Sequence, residues 1–461
     1  MSGDRKLFGT DGVRGVANVH PVTAETALKL GRAAAHVFGN GSRTAGGGRP
    51  KIVIGKDTRL SGYMLENAMV AGITSLGVDA LVIGPLPTPG VAYITRSLRA
   101  DAGIVLSASH NPYEDNGIKF FRCDGYKLDD EVESRIEHLV FSGEIDSIRP
   151  TATRIGKAFR IDDALGRYVE FAKQSFPRGM TLEGLRVALD CANGAAYKSS
   201  PCILRELGAT TLVSHNSPDG TNINAACGST HPEEICRLVK ETGAHVGIAH
   251  DGDADRVLLC DEKGELVDGD EILAVAAADF LRRGCLASST LVATVMSNFG
   301  LDECLESLGG RVLRTKVGDR YVIEAMMRDG LNVGGEQSGH MIFRDYATTG
   351  DGIVSALQIL RVIIETGRPL SELKAVLKKY PQAQRNLRVR DKPPLDSLGA
   401  VQTLLREAEA AVSGGGRVLL RYSGTEPKVR LLIEGRDAAE IENHAERIAE
   451  ALRESIGEGP A

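Results

Sequence analysis

The stretch "KIVIGKDTRLSGYMLENAMVAGITSLGVDALVIGPLPTPG", Lys51 to Gly90, sets two short apolar runs, KIVIG and DALVIG, on either side of a helical pattern. This reads as a βαβ unit, the building block of a parallel or mixed sheet covered by helices. A further helical stretch and a third apolar run, "AGIVLSAS", extend it. The rhythm returns twice. "LRVALDCANGAA", "ATTLVSHN" and "AHVGIAHDGDADRVLLCD" bracket helices in a second block, and "STLVATVMSN", "GRVLRTKVGD" and "LNVGGEQSGH" do so in a third. Each block carries a polar, glycine-containing loop just after an apolar strand, where ligands gather in open α/β sheets. Three such loops can face one cleft.

The last segment changes character. "PQAQRNLRVRDKPP" leads into a helix, "GRVLLRYSGTEPKVRLLIEG" supplies two strands around a loop, and "DAAEIENHAERIAEALRESI" supplies a final helix. A smaller α+β domain is expected there. Residues 144–160 and 373–385 read as connections, and 41–50 as a flexible surface loop.

Composition agrees with a multidomain globular enzyme or binding protein. A chain of 461 residues exceeds what one hydrophobic core usually organises. Hydrophobic residues make up 42% and charged residues 25%, which excludes a disordered or fibrous chain. The net charge of -6 lacks the positive field that nucleic-acid binding needs, although local arginines can still hold a small anion. The eight cysteines include no CxxC pair, so they read as reduced thiols rather than a zinc knuckle or a disulfide framework. The start "MSGDRKLFGT" has no apolar signal region, and no run approaches the roughly 18 apolar residues of a membrane span. A cytoplasmic protein without membrane partners is expected.

Four stretches carry chemistry. In "AHDGDADR", Asp251, Asp253 and Asp255 alternate. If the segment is extended, a period of two aims all three carboxylates to one side, where repulsion calls for a cation, and hard oxygen ligands favour Mg²⁺ or Ca²⁺. An EF-hand fails because Arg256 stands where the loop needs glycine and the flanking sequence is strand-like. An acidic surface turn stays open. In "RYSGTEPKVR", Arg421 and Arg430 flank Ser423, Gly424 and Thr425, so guanidinium forks, hydroxyls and backbone N–H groups can converge on a phosphate. An ordinary hairpin turn explains the same residues. "GGEQSGH" offers Glu336 and Ser338 two apart, a pair suited to vicinal sugar hydroxyls, or else a glycine-rich turn. "GIVLSASHNPYEDNGIKFF" ends an apolar run in Ser107, Ser109 and His110, with Lys119 returning on the next strand, yet the esterase elbow G-x-S-x-G is absent. "IGKDTRLSG" at 54–62 is not a phosphate-binding P-loop.

Together "SASHNP", "DGDADR", "GEQSGH" and "RYSGTEP" resemble, in order and spacing, the α-D-phosphohexomutases, and the resemblance spans essentially the whole chain. "LFGTDGVRG", "NINAACGSTHPE", "TKVGDRY" and "GEQSGH" look most like the phosphoglucosamine mutase branch; phosphomannomutase/phosphoglucomutase relatives more often carry "GEMSGH" and are the alternative. The resemblance implies four domains around a central cleft, three related α/β domains with mixed sheets and a smaller α+β domain. They are expected at 1–156 with the phosphoserine loop, 157–258 with the metal loop, 259–375 with the sugar loop and 376–461 with the phosphate-binding loop.

It further implies that Ser109 carries the phosphoryl group and is phosphorylated in the active form. Asp251, Asp253 and Asp255 with a phosphoserine oxygen would hold one Mg²⁺ per active site. Arg14, His110, Lys119, Arg256 and His340 would line the reacting phosphate or move the proton. Glu336 and Ser338 would grip the sugar, and Arg421, Ser423, Gly424, Thr425 and Arg430 the phosphate that is not reacting. The expected reaction interconverts glucosamine 6-phosphate and glucosamine 1-phosphate through the 1,6-bisphosphate, feeding UDP-N-acetylglucosamine and cell-wall precursors. Small sugar phosphates are then the partners, and a homodimer is allowed. One departure stands out: many relatives read "DGDGDR", where this chain has Ala254. A non-catalytic sugar-phosphate sensor is the competitor from another class, and retention of Ser109 with all three aspartates argues against it.

Overall fold

A computed structural model describes residues 7–9, 11–41, 48–423 and 427–457. Most of the expected loop at 41–50, together with Gly424 and Thr425, lies outside the described residues. Contacts divide the chain into two compact units, one formed by residues up to 296 with 310–376, the other by 297–309 with the chain from 377 onward.

The first unit holds three sheets. The first has six strands, in the order Val13–Val16, Asp115–Arg122, Ala102–Leu106, Lys51–Lys56, Asp79–Pro85, Ala158–Arg160. Its middle is parallel and Asp115–Arg122 runs antiparallel to both its neighbours, Val13–Val16 and Ala102–Leu106, so the sheet is mixed as expected. The quoted βαβ unit is Lys51–Lys56, the helix Ser61–Ser75 and Asp79–Pro85. The helix buries Leu65, Met69, Gly72 and Ile73, spaced to face one side. Gly72 is required there, because a Cβ would meet the Leu28 carbonyl oxygen of the neighbouring helix at 2.3 Å. Ile52, Ile54, Ile104 and Ile118 are fully buried in this core, each contributing about 1.5–3 kcal/mol by leaving water.

The second sheet orders Leu266–Val267, Val257–Asp261, Val246–His250, Arg186–Asp190, Thr210–Ser214, and the third Arg311–Thr315, Thr290–Thr294, Val333–Gly335, Met341–Phe343. Two long buried helices accompany them. Gly269–Arg282 starts from a capping box between Asp268 and Glu271, and Gly352–Thr366 from Asp351, whose carboxylate accepts the N–H groups of Ile353 and Val354.

In the second unit, Gln382–Arg388, Lys428–Glu434 and Arg417–Tyr422 form an antiparallel sheet in that order, covered by the helices Gly399–Val412 and Ala438–Ile456. The helix Gly300–Ser307 belongs with them: Asn298 exchanges hydrogen bonds with the Tyr380 backbone, and Phe299 donates to Glu434.

Two expected connections contain strands. Ala158–Arg160, inside 144–160, is an exposed edge strand parallel to Asp79–Pro85, too short to show a period of two. Gln382–Arg388 begins inside 373–385 and pairs along seven residues with Lys428–Glu434. Its sequence, QAQRNLR, is polar because Gln384, Asn386 and Arg388 do not face the core, and only Ala383 and Leu387 pack against it.

Candidate active site

Ser109 lies just past the end of Ala102–Leu106, 1% exposed, with a left-handed φ of 55°. A non-glycine residue there needs support, and the surroundings supply it. Its N–H donates to Ser107 Oγ (2.9 Å), and Ser107 Oγ donates to Asp57 Oδ2 (2.6 Å). Ser107 is therefore spent on holding the turn. The fully buried Arg59 guanidinium donates to the carbonyls of Ser109 (2.9 Å), Asn111 (2.8 Å), Asp115 (3.0 Å) and Pro112, while its Nε pairs with Asp57. Asn224 Nδ2 donates to the carbonyls of Ser109 and Asn111 from the other side. Asp57 and Arg59 come from "IGKDTRLSG", and Asn224 from "NINAACGSTHPE". Neither stretch betrays this role in its sequence, because a side chain that serves backbone carbonyls leaves no spacing signal.

Ser109 Oγ donates to Asp251 Oδ2 at 2.6 Å. Asp251, Asp253 and Asp255, all buried, bring one ligand oxygen each within 4.8 Å of one another. They do not converge by the expected extended alternation. The segment is a turn between Val246–His250 and Val257–Asp261, with Ala254 at φ 55°. That angle suits glycine, and alanine takes it at a cost of roughly 1–2 kcal/mol. Asp253 Oδ2 accepts from Thr88 Oγ1 (2.7 Å) and Lys119 Nζ (2.9 Å), while, among the described residues, Asp253 Oδ1 and Asp255 Oδ1 are buried without a hydrogen bond. Burial and then the neighbouring Asp255 and Asp253 push the Asp251 carboxyl well above its usual range. Hard oxygens with repelling charges, Asp253 Oδ1 among them without a hydrogen-bond donor among the described residues, fit a cation such as Mg²⁺.

The cations expected from the sequence stand around this floor. Burial opposes the charge on Lys119, but Asp11, Asp253 and Asp255 outweigh it and raise its pKa. His110 Nδ1 is 3.5 Å from Ser109 Oγ, and burial, then Arg256 and Arg14, lower its pKa to about 4, so the ring is neutral at pH 7. Arg14 pairs with Asp11. The Arg256 N–H donates to Asp251 Oδ1 (3.2 Å), and its Nε lies 3.9 Å from Asp255. Although burial opposes its charge, His340, 3.6 Å from Asp255 and 3.5 Å from Asp319, is raised to about 9 by those carboxylates.

Glu336 and Ser338 sit in a turn rather than an extended segment, between Val333–Gly335 and Met341–Phe343. Glu336 Oε1 accepts the Gly318 N–H (2.8 Å), and Ser338 Oγ lies 3.4 Å from Oε2, exposed. The turn is tied to the aspartate loop: the Val257 N–H donates to the Gly339 carbonyl (3.0 Å), and a Cβ on Gly339 would meet the Val257 carbonyl at 2.3 Å.

In the second unit Arg421 and Arg430 are directly opposed across adjacent antiparallel strands. Burial, then Arg430, lowers the Arg421 pKa. Among the described residues Arg421 Nε is buried without a hydrogen-bond partner, an arrangement that suits an anion. Ser423 is buried beside them, its N–H on the Lys428 carbonyl.

Asp190, His215 and Cys227 form another close trio. There Asp190 accepts the N–H groups of Ala192 and Gly228 and lies 3.1 Å from His215 Nδ1, while burial pushes the Cys227 thiol up to about 12. Asp190 thus ties the backbone at Ala192 and Gly228, on either side of Asn224, with His215 beside it and Cys227 a neutral thiol.

Comparison with known proteins follows the same pattern. Sequence profiles of phosphoglucomutase/phosphomannomutase α/β/α domains I, II and III match residues 5–146, 166–264 and 268–380, and the C-terminal domain profile matches 385–451. The chain is similar to a phosphoglucosamine mutase of Syntrophotalea carbinolica, 57% identical over 453 residues covering 98% of both chains. Another, of Geotalea daltonii, is 59% identical over 453 residues, 98% of this chain and 99% of the relative. The fold matches a phosphoglucomutase/phosphomannomutase family protein of Burkholderia thailandensis, with a TM-score of 0.77, 24% identity and 96% of both chains covered. The chain belongs to the α-D-phosphohexomutase family, the phosphoglucomutase/phosphomannomutase family of these profiles.

Proposed function

We propose that this chain is a phosphoglucosamine mutase, an isomerase that interconverts glucosamine 6-phosphate and glucosamine 1-phosphate. The observation that carries the reading is Ser109 Oγ, held 2.6 Å from Asp251 on a buttressed turn above three converging carboxylates. Ser109 is the phosphoryl carrier. In the first half-reaction the bond between its Oγ and phosphorus breaks as a sugar hydroxyl bonds to the same phosphorus, the hydroxyl giving up a proton and Oγ regaining one. The bisphosphate then presents its other phosphate, and the reverse step restores phosphoserine.

Phosphoryl transfer depends chiefly on positioning and on stabilising charge. Asp251, Asp253 and Asp255 would hold Mg²⁺ with a phosphoserine oxygen, and the ion would supply charge stabilisation on the transferring group. Arg14 and Arg256 add fixed positive charge around it, neutral His110 offers a hydrogen bond to Oγ, and Lys119 or His340 moves the proton. Glu336 and Ser338 bind sugar hydroxyls, and Arg421, Ser423, Gly424, Thr425 and Arg430 the phosphate that is not reacting. The segments 1–156, 157–258, 259–375 and 376–461 are taken as the four domains, in line with the four profile matches.

The test is turnover of glucosamine 6-phosphate by the purified chain, with and without chelator, alongside mannose and glucose phosphates. Ser109→Ala should abolish activity, and peptide mass spectrometry should place the phosphate on Ser109 and not on Ser107. Faster turnover of mannose 1-phosphate than of glucosamine 1-phosphate would instead favour the phosphomannomutase/phosphoglucomutase alternative.

A further inference from the structure

Three side chains outside the assigned set close a circuit around Lys119 and His340. Asp11 Oδ1 accepts from Lys127 Nζ at 2.6 Å, and Asp11 Oδ2 lies 3.3 Å from Lys119 Nζ. Lys127 Nζ also pairs with Asp319. Asp319 Oδ2 is 3.5 Å from His340 Nε2, His340 Nδ1 is 3.6 Å from Asp255 Oδ1, and Asp255 Oδ2 is 3.7 Å from Lys119 Nζ. Acidic and basic side chains thus alternate around six members: Asp11, Lys127, Asp319, His340, Asp255, Lys119. The members come from separate stretches of chain, and Lys127 and Asp319 are 192 residues apart.

We propose that Asp11, Lys127 and Asp319 are positioning residues for the mutase reaction, forming the outer half of a charge ring that fixes where Lys119 Nζ and the His340 imidazole stand relative to Ser109. The inference rests on the reading of Ser109 as phosphoryl carrier. Lys119 has two partners, Asp253 and Asp255, inside the trio that would take the cation. A divalent ion held by those carboxylates would weaken their hold on the ammonium, and Asp11, which lies outside the trio, would keep Lys119 in place. Asp11 and Asp319 are in turn bridged by the single ammonium of Lys127, which sets the distance between the loop preceding Val13–Val16 and the start of the helix Asp319–Arg328. An isolated buried ion pair is poor evidence for stability. A closed alternating ring that passes through two groups beside the reacting centre is better explained as a device for geometry.

The experiment compares Lys127→Met, Lys127→Arg, Asp319→Asn and the double variant Lys127→Met/Asp319→Asn. The Lys127→Met variant should lose kcat by on the order of 10- to 100-fold through misplacement, with KM for glucosamine 6-phosphate changed by less than about twofold. Calorimetric Mg²⁺ affinity and phosphate on Ser109 should be retained. Lys127→Arg, which keeps the bridge, should recover most of kcat. The double variant should be no slower than the slower single variant, the signature of one shared unit.

A kcat for Lys127→Met within about twofold of the unaltered protein, a loss carried by KM, absence of rescue by Lys127→Arg, or additive losses would overturn the proposal. If Lys127→Met does not fold, Asp319→Asn carries the comparison, and unchanged kcat there overturns it. A protein without phosphate on Ser109 or without turnover of glucosamine phosphates sinks the mutase reading itself. The ring is then read from thermal melts, where coupled shifts for Lys127 and Asp319 support it and additive shifts do not.

Discussion

A Cβ on Gly252 would stand 2.6 Å from the carbonyl oxygen of Ser109, so the aspartate loop and the serine turn touch backbone to backbone. That carbonyl already accepts from Arg59 and Asn224, and neither side can yield freely. Gly252→Ala should cost about 1–3 kcal/mol of stability, as overpacking does. Turnover should fall on the order of 100-fold as Ser109 Oγ leaves its place by Asp251. Kinetics and a thermal melt on one preparation decide it; retention of most turnover would mean the close approach is not what places Ser109.

Arg59 offers a sharper test of the same turn. Its guanidinium serves four backbone carbonyls and Asp57 while fully buried. Arg59→Met strands the Asp57 carboxylate, so a loss of about 3–5 kcal/mol is expected. In the double variant Asp57→Asn/Arg59→Met that stranded charge is gone, and part of the stability should return while turnover stays low. Unfolding midpoints in urea separate the two effects. A double variant less stable than Arg59→Met alone would contradict the account.

The contrast between these residues and the aspartates marks what the sequence could tell. The strand Lys51–Lys56 was legible because burial on both faces makes it a continuous apolar run, and the helix Ser61–Ser75 because one buried face imposes a helical spacing. Asp251, Asp253 and Asp255 were legible because their carboxylates share one short stretch, although the turn through Ala254, not an extended alternation, brings them together. Asp57, Arg59, Asn224 and the Asp11, Lys127, Asp319 set were not, since each acts on a group far away in the chain and none carries a local pattern. Gln382–Arg388 was missed for the opposite reason: its residues alternate too weakly, being polar wherever they do not face the core.

His215 gives a pH test away from the proposed cation site. Asp190, 3.1 Å from its Nδ1, raises its pKa above the ordinary 6.5 against the opposing effect of burial. The folded state therefore holds this proton more tightly than the unfolded chain does. The stabilisation is present in full below the unfolded value and is lost as pH rises through the higher folded value. His215→Gln should lower the unfolding midpoint in mildly acidic buffer, and the difference should close at clearly alkaline pH. A gap that widens with rising pH would show that His215 is held for some other reason.

The paired arginines of the second unit make the last prediction two-sided. Arg421 and Arg430 face each other across the Arg417–Tyr422 and Lys428–Glu434 strands, and like charges directly opposed cost stability by roughly 0.2–1 kcal/mol. Without an anion, Arg421→Ala should therefore leave stability unchanged or slightly raised. Added inorganic phosphate should stabilise the unaltered protein, by about 2.7 kcal/mol at a hundredfold excess over Kd, and the variant should lose most of that gain. Catalysis adds an independent reading. In single turnovers the phosphorylated enzyme meets either glucosamine 1-phosphate or glucosamine 6-phosphate, so the phosphate that is not reacting sits at position 1 in one case and 6 in the other. Guanidinium forks bind the phosphate rather than a particular sugar hydroxyl, and so Arg421→Ala should slow both half-reactions to similar degrees, by about 2–4 kcal/mol of lost charged contact. A variant slowed with only one of the two sugars would show that Arg421 reads the sugar's orientation, and a variant stabilised by phosphate as strongly as the unaltered protein would remove the arginine pair from the anion site altogether.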